Sequence, residues 1–273
     1  MRIAALFMTV LLAAACGPGR TTYARYPGAP AAFDRTTQDQ KAMEIADKVL
    51  AAAGGADKWT AAKQLRWSQS ITHDGKEVLG GEQAWDRWNG RQWARARREG
   101  GDMIVMRPLY EAGGHAFIEN PETKNLKKID GGATEAIQAA SERFDFDTAV
   151  MFMPFLLQEP GTKLSYAGEA QGDNEKIYDV LAVTFDANDP SRTSKFQIAI
   201  DRDTHMIARF EIQKKGRAEN ERLGYAVKEW QDAGGMKYPS TVQNIGLASE
   251  VVTYKDLKAS APEEDLFIPP PLM

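Results

Sequence analysis

The stretch that decides the fold is Leu65-Arg66-Trp67-Ser68-Gln69-Ser70-Ile71-Thr72-His73-Asp74-Gly75. Leu65, Trp67 and Ile71 share one side of a two-residue period and their neighbours are polar, which predicts a half-buried strand with Trp67 facing inward. Asp74-Gly75 then signals a tight hairpin, because a type I′ turn needs positive φ at both central residues. The next strand runs over about 78–88 and turns at Asn89-Gly90, the same signal again. A third, 91–99, turns at Gly100-Gly101 and returns as 103–107. Successive hairpins build an antiparallel meander, not a parallel sheet.

Towards the N-terminus, Ala42, Ile45, Ala46, Val49 and Ala53 recur at helical spacing over 39–53, and Gly54-Gly55 stops the helix. A second helical turn over 57–63 carries Trp59. Towards the C-terminus, 134–147 is rich in helix formers and 149–157 (AVMFMPFLL) is strongly apolar. Pro154 predicts that these are two pieces and not one helix. Seven further strands follow, near 163–169, 177–185, 195–200, 206–214, 225–231, 237–246 and 249–257. The expectation is an α+β fold. About eleven strands form one strongly curved antiparallel sheet, an open half-barrel, with helices covering its concave face.

That order of elements resembles the Lol-type lipoprotein-carrier superfamily. More closely, the chain is similar to an uncharacterised branch of bacterial envelope lipoproteins. The resemblance rests on Ala52-Ala53-Gly54-Gly55 with Trp59, on Phe152-Met153-Pro154-Phe155-Leu156-Leu157 with Pro160-Gly161, and on Tyr178-Asp179-Val180 with Thr184-Phe185. Ile200-Asp201-Arg202-Asp203-Thr204-His205 and Asp265-Leu266-Phe267 extend it over about 39–267. It implies a half-barrel that holds acyl chains between its sheet and a helical lid. It gives no basis for carrying over the carriers' partner-binding residues, and a scaffold alone does not fix a function.

The first fifteen residues read as a secretion signal: Arg2, an uncharged apolar run, then Ala13-Ala14-Ala15. The run is too short to span a membrane. Cys16, the only cysteine, follows immediately and resembles the lipobox cysteine of bacterial lipoproteins, with Ala13 standing where Leu is usual. Cleavage is expected between Ala15 and Cys16 and lipidation, with acyl chains such as palmitate, on Cys16. An ordinary peptidase site predicts the same bond but leaves a lone exported thiol. Residues 16–38, rich in Gly, Pro, Ala and Thr, read as a flexible tether. Residues 39–273 read as a single domain, expected to be monomeric. Gly17 after the cysteine, in place of an inner-membrane retention Asp, points to the outer membrane, facing the periplasm.

Loss of 1–15 leaves 33 basic residues against 38 acidic, a balance without a nucleic-acid footprint. His73, His115 and His205 are scattered, so no metal site and no cofactor are expected. No G-x-S-x-G is present, and Glu263-Glu264 or Asp145/Asp147 read as solvated charges. The expectation is therefore a non-enzyme. Arg91, Arg95 and Arg97 share a strand face, read as the polar outer side of the sheet or as a contact for anionic lipid head groups. A ligand cavity is expected at Trp67, Met151, Phe152, Met153, Phe155, Leu156 and Leu157, since Met and Phe adapt to flexible acyl chains. The function expected is a membrane-anchored protein binding lipid or lipoprotein acyl chains. The alternative is a structural or interaction lipoprotein whose outer sheet face binds an envelope protein. An open apolar cleft favours the first and a closed interior the second.

Overall fold

The computed structural model describes residues 33–129, 131–172, 175–185, 195–213, 218 and 221–270. Ala15, Cys16 and most of the expected tether lie outside the described residues.

Helix α1 (Gln40–Ala52) opens on Asp39, whose carboxylate accepts a 2.9 Å hydrogen bond from the Ala42 amide. It ends at Gly54, where φ is +120° and a Cβ would stand 1.9 Å from the Gly235 carbonyl oxygen. Only glycine lets the chain pass so close. Helix α2 (Ala56–Ala61) buries Trp59.

The first meander is β1 (Gln64–His73), β2 (Lys76–Asp86), β3 (Arg91–Ala96), β4 (Met103–Pro108), β5 (His115–Glu119) and β6 (Leu126–Lys128). Asp74 and Gly75 both have positive φ, +50° and +75°, as the type I′ turn requires. Helix α3 (Ala133–Leu156) follows. The second meander is β7 (Thr162–Gln171), β8 (Ile177–Phe185), β9 (Lys195–Asp201), β10 (Ile207–Gln213), β11 (Leu223–Ala233), β12 (Met236–Asn244) and β13 (Glu250–Ser260).

Among the described residues, thirteen strands form one sheet in the order β6-β5-β4-β3-β2-β1-β13-β12-β11-β10-β9-β8-β7. The two meanders join through the antiparallel pairing of β1 with β13. The sheet does not close: β6 and β7 are its two edges. Helix α3 connects those edges, so the chain must return across the sheet's inner face. At about 1.5 Å per residue, its 24 residues give roughly 36 Å of reach.

Two expectations are corrected. The sheet has thirteen strands instead of about eleven, because β5 and β6 are too short to show a period. Helix α3 runs unbroken through Pro154. The proline stands in the last turn, and every residue of 147–157 is buried there, so packing offsets the lost hydrogen bond.

The main core lies between the inner face and the helices. It joins Ala46 and Val49 of α1, Trp59 of α2 and most of the second half of α3 to strand residues such as Leu65, Ile198 and Phe210. A smaller apolar cluster, Trp93, Ile104, Phe117 and Phe267, covers part of the outer face. No described helix is long and apolar enough to cross a membrane.

Candidate functional site

The two halves of α3 meet the sheet differently. From Asp147 to Leu157 every residue is buried, whereas Thr134, Glu135, Gln138, Ala139 and Glu142 of the first half are exposed. The first half packs through Ala136 and Ala140 on Ala94, Val105 and Ala116 of β3, β4 and β5. Small side chains on both surfaces leave space between them. A cavity of about 120 Å³ lies there, lined by Gln69, Gln83, Ala94, Val105, Ala140 and Arg143 among others.

At its polar end stands a buried charged pair, Arg143 and Asp147, one helical turn apart. Asp147 is fully buried. Its Oδ1 also accepts a 2.9 Å hydrogen bond from the Tyr254 hydroxyl. Burial pushes the Asp147 carboxyl up, and the Arg143 guanidinium pulls against that shift. Burial and the charge of Asp147 hold the Tyr254 phenol well above its usual value of 10. Behind them, the Tyr225 hydroxyl and the Asn244 amide donate to Glu250 at 3.2 and 2.9 Å. On the other side, Gln92 donates to Gln83 Oε1 and to the Ala140 carbonyl, both at 3.0 Å. That second bond ties the first half of α3 to β3. Arg143 Nε and Gln69 Oε1 are buried without a hydrogen-bond partner among the described residues. Both residues are on the cavity wall. Such orphaned groups cost about 1–3 kcal/mol each until something bonds them.

The residues expected from the sequence as cavity lining are brought together, but as packed core. Trp67, Met151, Phe152, Met153, Phe155, Leu156 and Leu157 are each at most 2% exposed. Trp67 meets Phe152 edge-on at 5.6 Å, and Trp59 stacks on Phe155 at 5.0 Å. None of the seven lines the cavity beneath α3, nor a wider groove of about 580 Å³ beside Trp230 and Asp201.

The residues that do line the cavity's polar end, Gln69, Gln83, Arg143 and Asp147 behind it, carry no motif. The expectation that Asp147 is a solvated charge is corrected, because α3 carries it across the inner face. One signal was available: Asp147 is the lone charge in the run from Phe146 to Leu157, which is otherwise apolar but for Thr148.

The outer-face arginines are ion-paired within the chain. Arg91 meets Glu264 at 2.8 Å as well as Asp86, Arg95 meets Glu119 at 3.0 Å, and Arg97 meets Glu77 at 2.8 Å. Among the described residues, no three His, Cys, Asp or Glu side chains converge as a metal ion would need.

No family model matches the sequence, and no curated protein does. Among solved structures the chain is similar to a DUF1329 family protein from Desulfovibrio piger, at 13% identity over 83% of this chain and 97% of that one, with a TM-score of 0.47. It is also similar to a LolA superfamily protein from Nitrosomonas europaea, at 11% identity over 84% and 97%, TM-score 0.48. A putative outer membrane lipoprotein-sorting protein domain from Vibrio parahaemolyticus gives 12% identity over 83% and 96%, TM-score 0.45. At these scores the likeness assigns neither ligand nor partner to this chain.

Proposed function

We propose that this chain is a non-catalytic binding protein of the bacterial envelope that takes an acyl chain of a lipid or lipoprotein between its sheet and α3. The observation that supports the reading is the asymmetry of α3. Its second half is embedded, while its first half, up to the buried Phe144, rests on alanines over a cavity and is linked to β3 through the Gln92–Ala140 hydrogen bond. A helix fixed at one end and lightly seated at the other is a lid. Lifting the first half exposes the inner face of β2–β5 to an apolar ligand, and Trp67, Met151 and Phe152 then form the floor at the hinge. The cavity of about 120 Å³ is the closed state's remnant of that space. The interaction alternative has less support, since the outer-face arginines are ion-paired internally and Phe267 covers part of that face.

The reading includes the anchor. Cleavage between Ala15 and Cys16 and acylation of Cys16 place the protein on a membrane, with the outer membrane facing the periplasm as the proposed site and a monomer as the acting form. More than one acyl chain is needed for stable anchoring, because each buried methylene contributes only about 0.8 kcal/mol. Two measurements test this function. Native mass spectrometry of the domain released from cells should show adducts with the mass of an acyl lipid. Cys16→Ser should leave the membrane fraction. A domain that carries no lipid, even after incubation with palmitoyl phospholipid vesicles, sinks the binding reading. Retention of Cys16→Ser in the membrane sinks the anchor.

A further inference from the structure

Resting on the reading of the space beneath α3 as a ligand site, we infer that the cavity selects an uncharged hydrogen-bonding head, an amide or a hydroxyl, on a short apolar body. Three observations lead there.

The first is the pair of unmet groups. Arg143 Nε offers a donor and Gln69 Oε1 an acceptor, both buried without partners among the described residues and both on residues of the cavity wall. A ligand that accepts from one and donates to the other satisfies both at once. A hydroxyl or an amide does this; an ester or a hydrocarbon does not.

The second is charge. The guanidinium of Arg143 is already answered by the Asp147 carboxylate one turn along the same helix. A carboxylate or phosphate head bonded to Arg143 would stand beside the Asp147 carboxylate that already pairs with it, and an ammonium head would meet Arg143 with Arg95, itself paired to Glu119, and Arg98 also on the wall. Either brings like charges together in a largely buried site, which costs more than burying a hydrogen-bonded neutral group.

The third is size and lining. Beyond the polar end the wall includes Ala94, Ala96, Val105, Ala136 and Ala140 with Leu79 and Met103; Arg95 and Arg98 also line it, and the volume is about 120 Å³. A dry apolar cavity of about 150 Å³ accepts benzene, so this one takes about six heavy atoms. That is a head and the first few carbons. A longer chain needs the first half of α3 to lift.

The test is calorimetric titration of the mature domain at neutral pH with 1-pentanol, pentanamide, pentanoate and pentylamine. The alcohol and the amide should bind at least tenfold more tightly than the acid and the amine. Gln69→Leu should weaken the amide and the alcohol about tenfold, and Ala94→Leu, which fills the apolar end, should abolish binding by all four. The two variants lie on different strands, so if one fails to fold the other still decides. Equal or tighter binding of pentanoate overturns the inference. So does undiminished amide binding in both folded variants, or a cavity that holds water and binds none of the four at millimolar concentration. Palmitoyl lipid adducts in native mass spectrometry separate this inference from the function above. Adducts without head-group preference refute the head-group site alone, while head-group preference without adducts refutes the acyl-chain function alone.

Discussion

The two halves of α3 are one helix in hydrogen bonding and two different things in packing. The half after Asp147 is apolar but for Thr148 and belongs to the interior. The half before it presents Ala136 and Ala140, with Ile137 beside them and Phe144 at its end, to the interior and exposes its other side. On the proposed reading, a lid needs no hinge loop. It needs a helix whose burial changes abruptly along its length, here at the Arg143–Asp147 pair.

The largest test of that contrast is Phe152→Ala. The ring packs on Trp59, Trp67 and Trp85 and is fully buried, so its loss should cost about 3–5 kcal/mol in denaturant unfolding. A cost below about 1 kcal/mol would mean that the second half is as loosely seated as the first.

Next is the junction itself. Asp147→Ala leaves Arg143 buried without its counter-charge and should cost about 3 kcal/mol, whereas Arg143→Met combined with Asp147→Leu should recover most of it. If the double variant is no better than the single one, the pair is not the coupled unit described.

Tyr254→Phe is smaller. It removes the 2.9 Å donor to Asp147 and should cost about 1–2 kcal/mol at neutral pH. It also has a pH signature. The folded-state pKa of Tyr254 is raised, so its contribution is complete below the unfolded value of about 10 and is lost as pH rises through the folded value. Stability of the parent protein should therefore fall above pH 10, and Tyr254→Phe should fall less steeply. Identical alkaline slopes would contradict the buried phenol.

What the sequence could tell divides along the same line. Hairpins are local: Asp74-Gly75 sets a turn by its own φ preferences, and the alternation around Trp67 sets a face, so most of the meanders were legible. Strands β5 and β6 were not, because five and three residues hold too little alternation to register. Pro154 was misleading because its local cost is overridden by the packing of Phe152, Phe155 and their neighbours, a tertiary effect. The polar site was illegible for the same reason. Asp147 and Gln69 become interior groups only once the edge-to-edge connection sends α3 back over β1–β5. The apolar residues singled out from the run 149–157 do converge, and their convergence is the core on which the lid hangs.

The smallest effect is the most direct probe of the lid. Ala139 is exposed in the middle of the first half, at the edge of the cavity, so Ala139→Gly removes a single methyl and should cost about 1 kcal/mol, mostly through helix propensity. If the first half opens separately, that cost falls on its opening equilibrium and not on global unfolding. Hydrogen exchange should then show amides of 136–142 less protected than those of 148–157 in the parent protein. In the variant, the first group should exchange several-fold faster and the second be unchanged. Acyl lipid should load faster as well, because the closed state is the one weakened. Both groups exchanging together, in parent and variant alike, would make α3 a single cooperative element, and entry beneath it would then require unfolding the core around Phe152.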